Sequence, residues 1–219
     1  MRGPNPFETL AGEYDAWFDE HPALFESELQ AVQAVLPERP GQWVEIGVGT
    51  GRFASRLGIG LGVEPAAAMA DRARRRGVHV LDGTAERLPL ADSSADALFF
   101  ITTLCFVSDV AHALAEARRV VVPGGAIVVA FLPRDSELGR AVSANSSDLF
   151  FRAARLLSAS ELLRAMTDAG FAIERIVQTL TTFSSPQTLE APAEGFDRGS
   201  FVVVRGRRPQ RERRSSMQS

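Results

Sequence analysis

A chain of 219 residues, 45% of them hydrophobic, can build one sizeable core but is short for two, so a single domain of mixed class is expected. All 24 basic residues are arginine and none is lysine, which excludes Schiff-base chemistry, a phosphate-loop lysine and the Tyr/Lys pair of short-chain dehydrogenases. The net charge of −3 is uneven: from Arg205 onward six arginines face one glutamate, so that end carries +5 and the rest −8, a balance that makes nucleic acid a poor partner.

In chain order, residues 1–36 are expected to form a helical lid segment, with Leu10, Tyr14, Trp17 and Phe18 at helical spacing on one face. From residue 43 apolar clusters alternate with helical patterns, the signal of a parallel sheet covered by helices. The clusters at 43–48, 59–64, 78–83, 95–102, 126–132, 171–180 and 200–206 predict seven strands. Helices are expected over 51–57, 66–76, 107–121 and 158–170. The last has both boundary signals, a Ser158/Glu161 capping box and Gly170 where a left-handed cap belongs. Residues 134–157 form a substrate-side insertion of mixed polarity within the main domain, 37–208, and 209–219 is expected to be a disordered basic tail. No apolar run approaches the roughly 20 residues that span a bilayer. The N-terminus lacks the apolar stretch of a secretory signal, and the lone Cys105 cannot form an internal disulfide. A cytoplasmic protein fits both.

Function is concentrated in "VEIGVGTGRFASRL", Val44 to Leu57. In a doubly wound sheet, ligands bind at the carboxyl ends of the strands, where Gly47, Gly49 and Gly51 permit a sharp turn and leave no side chain between backbone and ligand. The dinucleotide fingerprint GxGxxG needs glycine where Arg52 stands, so a nicotinamide-dependent dehydrogenase loses ground. Glu64, ending the second strand, is placed to accept hydrogen bonds from both hydroxyls of a ribose. Glu45 adds a second acid beside the turn. Two acids repel phosphates and attract a cationic nucleoside, a description that S-adenosylmethionine meets.

The motifs "VEIGVGTG", "GVEPAAAMA", "GTAERLPLADSSADALFFITTLCFVSD" and "ARRVVVPGGAIVVAF" resemble, in order, those of class I methyltransferases, in the type-11 branch that includes the quinone-ring methyltransferases. The resemblance covers about residues 40–133. It implies a Rossmann-like, mostly parallel sheet with an antiparallel last strand, and S-adenosylmethionine as cofactor. It also implies that Glu45, Gly47, Gly49 and Gly51 surround the methionine part of the cofactor and that Glu64 holds the ribose. Thr84 and Ala85 would lie beside the adenine, where the branch usually has Asp-Ala, and Ile101, Thr102 and Thr103 would pass beneath the methionine. Tyr14 would lay its ring over the cofactor. The ends also resemble a bacterial subgroup, some of whose members are labelled possible amine methyltransferases.

Methyl transfer is an in-line displacement that proximity and orientation can accelerate without a base. His79 and His112 fall away from the expected site, His79 near a strand start and His112 on a solvated helix face. His21, before Pro22, is the candidate catalytic residue, with helix capping as its alternative. Trp17, Phe18, His21 and Cys105 are the substrate-side candidates, and no residues are assigned to a metal. The expectation is a methyltransferase, monomeric or homodimeric, acting on a small molecule. The alternative is a non-catalytic cofactor-binding or scaffolding protein that retains the fold.

Overall fold

The computed structural model describes residues 5–38, 41–145, 149–181 and 188–210. The tail from 211 onward therefore lies outside the described residues. The N-terminal segment is three helices, α1 (Pro6–Thr9), α2 (Ala11–Glu20) and α3 (Pro22–Ala34). The alternating part follows as β1 (Trp43–Ile46), α4 (Arg52–Leu57), β2 (Leu61–Val63), α5 (Ala67–Arg75), β3 (His79–Leu81), β4 (Ala95–Ile101), α6 (Val110–Val120) and β5 (Val121–Phe131). The remainder is α7 (Glu137–Ala144), α8 (Ala159–Asp168), β6 (Ala172–Thr179), β7 (Ala193–Glu194) and β8 (Phe201–Arg207).

The sheet has eight strands rather than the expected seven, in the order β3-β2-β1-β4-β5-β8-β6-β7. The extra strand, β7, is two exposed residues paired with Val177 and Gln178 at the sheet edge, too short for any alternation to mark it. Strands β1 to β5 run parallel, and β8 is antiparallel to both β5 and β6. The near-continuous apolar run of β4 reflects burial on both faces. Ala97, Phe99 and Ile101 join the core under α2 to α5, while Leu98 and Phe100 join the core under α6 and α8.

Local chemistry accounts for the helix ends. In α8 the Ser158 hydroxyl accepts from the Glu161 N–H at 3.2 Å and the Glu161 carboxylate accepts from the Ser158 N–H at 2.7 Å, while Gly170 adopts φ +84°. Helix α6 starts later than its pattern predicts because Asp109 caps it, accepting from the His112 N–H at 2.9 Å. The sequence pattern does not mark α7. It is eight residues long, holds Gly139 where a Cβ would run into the Pro133 carbonyl, and starts on a Ser136 cap. No described helix is long and apolar enough to cross a membrane.

The N-terminal helices are fixed to this frame by burial and charge together. Helix α3 buries Leu24, Phe25, Leu29, Ala31 and Val32, and its last carbonyls receive Arg175 of β6 and Arg205 of β8. Helix α2 is held by Asp15, which is buried and faces Arg52, Arg72 and Arg76. Arg52 also reaches Asp19 at 2.8 Å. Helix α1 is tied through Glu8, whose carboxylate accepts the free N–H groups of Ala67 and Ala68 at 2.8 and 3.1 Å and so caps α5, a helix whose own first turn has no acid.

Candidate active site

The turn after β1 uses each glycine for a different reason. All three are left-handed, with φ +67° at Gly47, +53° at Gly49 and +79° at Gly51. A Cβ on Gly47 would strike the Thr103 side chain, and one on Gly51 would lie 2.9 Å from Ala73 Cα of α5. Gly51 thus gives the close helix approach that the dinucleotide fingerprint assigns to its third glycine. A Cβ on Gly49 would meet nothing within 4 Å, because it would project into an open cavity that also borders Gly49.

Glu64 ties the turn to the next element. One carboxylate oxygen accepts the Gly49 N–H at 2.9 Å and the other the Ala66 N–H at 2.9 Å. Burial raises its pKa against these two bonds, with Glu8 adding repulsion. Glu45 is enclosed by the protein. It is 2% exposed, its Oε2 has no hydrogen-bond partner, and burial holds its carboxyl well above the usual range despite a backbone bond from Ala54.

The cavity encloses about 540 Å³, within the range of small-molecule sites. Of the sequence-predicted residues, Tyr14, Gly47, Gly49, Glu64, Thr84, Ala85, Ile101, Thr102 and Thr103 line it. Thr102 does so with φ +51°, a strained conformation held by its N–H bond to Ala130 at 2.8 Å. Phe7, Met69, Glu86 and Phe106 also line it and carry no sequence signal of their own: each lies in a segment whose pattern reads as packing or turn. Among the described residues, no arginine or histidine lines it, although the chain holds 24 basic residues.

Six predicted residues are not on that wall. Glu45 and Gly51 are both buried and absent from the lining. Phe18 is buried against Phe25 and Phe53, at ring separations of 5.4 and 6.4 Å. Cys105 points its thiol at the Thr102 carbonyl, 3.4 Å away, and burial pushes the thiol up to about 12, which leaves no nucleophile. Trp17 is 41% exposed and stacks on His21 at 4.4 Å. His21 ends α2, with Nδ1 2.8 Å from the Trp17 carbonyl, so it takes the capping role. The inward face of α2 is Ala11, Asp15 and Phe18, because three arginines draw the aspartate inward and rotate Trp17 out. Trp17→Ala is accordingly expected to cost less than about 1 kcal/mol in urea unfolding, against the 3 to 5 kcal/mol of a core tryptophan.

Aromatic rings cluster beside the cavity. Phe7 of α1 meets Phe106 edge-on at 5.0 Å, and Phe150 lies 5.6 Å from Phe7 and 5.3 Å from Tyr14. These contacts join α1, α2 and the insertion after β5 to one another.

Comparison with known proteins agrees with this arrangement. Residues 44–129 match the family described as a methyltransferase domain, the type-11 family. An uncharacterised protein of Methanocaldococcus jannaschii is 34% identical over 91% of this chain and 97% of its own length. A solved Thermotoga maritima protein, described as an S-adenosylmethionine-dependent methyltransferase and possible histamine N-methyltransferase, is 47% identical, with TM-score 0.88, over 92% of this chain and 98% of that one. The geranyl diphosphate C-methyltransferase of Streptomyces coelicolor shares the fold at 20% identity, TM-score 0.64, covering 83% of this chain and 77% of that one. With the glycine turn and Glu64 arranged around one cavity at the carboxyl ends of the strands, the chain belongs to the class I, type-11 methyltransferases and is an enzyme that uses S-adenosylmethionine as cofactor.

Proposed function

We propose that the enzyme methylates a small-molecule acceptor that is neutral or cationic, in the cavity bordered by Gly49 and Tyr14. The observation that carries this reading is the wall itself. Among the described residues it offers aromatic rings, threonines and carboxylates but no cationic side chain, so it favours positive charge and gives an anionic acceptor no counter-ion.

The residues present fit the cofactor. Gly49 leaves the space that a Cβ would fill, and Glu64, with one N–H on each oxygen, keeps lone pairs for two ribose hydroxyls. Gly47 and Gly49 expose backbone to the methionine part, Ile101 to Thr103 run beneath it, and Thr84 and Ala85 border the adenine. Thr84 brings a hydroxyl and no charge, so adenine selectivity rests on shape and backbone. Tyr14 and Phe7 cover the site. Glu45 and Gly51 support the turn from below. When bound, the cofactor supplies a methyl carbon activated by its sulfonium. The chain's part is to align the acceptor and exclude water.

Residues 1–36 act as the lid of the 37–208 body in this reading, with a division of labour. Helix α2 is anchored by Asp15, whereas α1 has four residues and no buried side chain, too few to be stable alone. Hydrogen exchange should therefore show protection rising on S-adenosylhomocysteine binding at residues 6–9 while α2 changes little. Equal response of both helices would contradict the anchored α2.

The function is tested by calorimetry with S-adenosylmethionine and S-adenosylhomocysteine, followed by mass detection of methylated product across amines, phenols, thiols and carboxylic acids. Binding with turnover of a neutral or cationic class is expected. Turnover of carboxylates alone would overturn the charge argument, and cofactor binding without any turnover would favour the scaffolding alternative.

A further inference from the structure

One carboxylate on the cavity wall is held by the protein at one oxygen and offers the other. Glu86 belongs to the lining run Gly83 to Glu86, and its side chain reaches a second lining run, Phe106 to Ser108. Its Oε1 accepts from the Ser108 N–H at 2.9 Å and the Ser108 hydroxyl at 2.7 Å, with the Asp109 N–H farther away at 3.5 Å. No donor from another described residue is bonded to Oε2. Burial works to raise this carboxyl, but bonds from Ser108, from its own N–H and from Asp109 outweigh it and hold Glu86 below the usual carboxylate range. The wall therefore carries a fixed anion with an acceptor oxygen to spare. Glu64, the other lining carboxylate named above, already has an N–H on each oxygen.

Sheet order says which part of the cofactor meets Glu86. Glu64 follows β2, and β3 is the parallel neighbour of β2 at the sheet edge. The Gly83 to Glu86 run follows β3. A nucleoside whose ribose sits on Glu64 thus presents its base to that run. The 6-amino group of adenine carries two N–H donors at the ring edge and needs an acceptor. Thr84 leaves selectivity at its own position to shape and backbone, and Glu86, two residues on, brings the charge that Thr84 lacks.

We propose that Glu86 selects the cofactor's nucleobase: its Oε2 accepts a hydrogen bond from the 6-amino group of adenine, and Ser108 is the positioning residue that holds the carboxylate for it. The inference rests on the placement of the base beside Thr84 and Ala85 in the reading above, and goes beyond it by naming the group that reads the amine. A charge-assisted acceptor favours a 6-amino purine and repels the 6-oxo oxygen of hypoxanthine.

The test is calorimetry with ligands that differ at one purine position: S-adenosylhomocysteine, its 6-deamino analogue and S-inosylhomocysteine. The wild type should bind them in that order of falling affinity, the first and last separated by about tenfold or more. In Glu86→Gln the amide oxygen can keep both Ser108 bonds while the amide nitrogen offers a donor to the base. The preference should then collapse or invert, with S-adenosylhomocysteine weakened about tenfold and S-inosylhomocysteine not weakened. Ser108→Ala, which loosens the carboxylate without removing it, should lower the preference by less. Thermal melts without ligand report the tie between the two loops, which affects all the ligands alike. A wild type that binds all the ligands equally, or a Glu86→Gln protein that weakens toward all of them by one factor, would overturn the assignment. Thr84→Trp fills an exposed position beside the expected base and should weaken every ligand; undiminished affinity there would instead strike the placement of the base.

Discussion

Asp15→Ala is expected to lower the unfolding free energy by about 3 to 5 kcal/mol, because it removes the partner of three arginines that fold around one buried carboxylate. Burial alone would raise that carboxyl, but hydrogen bonds from Arg76, Arg52 and Thr50 outweigh it and hold the group at about 2, below its ordinary 3.8. The sign follows from this depression: the stabilisation is complete above the ordinary value and is lost as pH falls through 3.8 toward 2. Wild type and Asp15→Ala should therefore differ most near neutrality and converge in acid. Function follows stability here. Asp15 and Tyr14 are neighbours on α2, so releasing the aspartate frees the ring that covers the cavity, and affinity for S-adenosylhomocysteine should fall as well. Denaturant curves at pH 7 and pH 3 provide the check, and a gap that stays constant with pH would show that Asp15 is not the ionised hub.

The same residue shows what the sequence reveals and what it hides. The strands and main helices follow from periodicity and caps, since those signals lie within a few residues of what they specify. Ser158 and Glu161 form their box, and β4 is buried on both faces as an uninterrupted apolar run demands. The glycine turn, Glu64 and the Ile101 to Thr103 segment are legible for a related reason: backbone need and ligand chemistry both favour few residue types there. The face of α2 is not legible, because its orientation is set by arginines 37, 57 and 61 positions away from Asp15. A hydrophobic stripe assigns Trp17 inward, but charge assigns Asp15. Phe7 and Phe106 reach the cavity wall only through tertiary packing.

Glu64→Ala is expected to weaken S-adenosylmethionine and S-adenosylhomocysteine tenfold or more, since charge-assisted bonds are worth about 1.5 to 3 kcal/mol each. The geometry separates two contributions to that loss. In the folded protein the carboxylate already holds the Gly49 and Ala66 N–H groups, so alanine leaves two donors unsatisfied and lets the turn relax, which costs stability and indirectly affinity. The ribose contact is a direct loss in addition. Glu64→Gln keeps the shape but offers one acceptor where two are needed, and its amide N–H would confront a backbone N–H, so it should also lose affinity. A ribose-modified ligand separates the contributions: the 2′,3′-dideoxy analogue of S-adenosylhomocysteine lacks the hydroxyls but still requires the turn. If Glu64 grips the ribose, Glu64→Ala should weaken the natural ligand much more than the analogue, and the difference between the two losses is the coupling energy of the contact. Equal losses would reduce Glu64 to a support of the turn, and equal affinity of wild type and Glu64→Ala for the natural ligand would remove it from the site. Thermal melts of the same proteins without ligand measure the turn contribution alone, because in the absence of ligand only the Gly49 and Ala66 bonds are at stake.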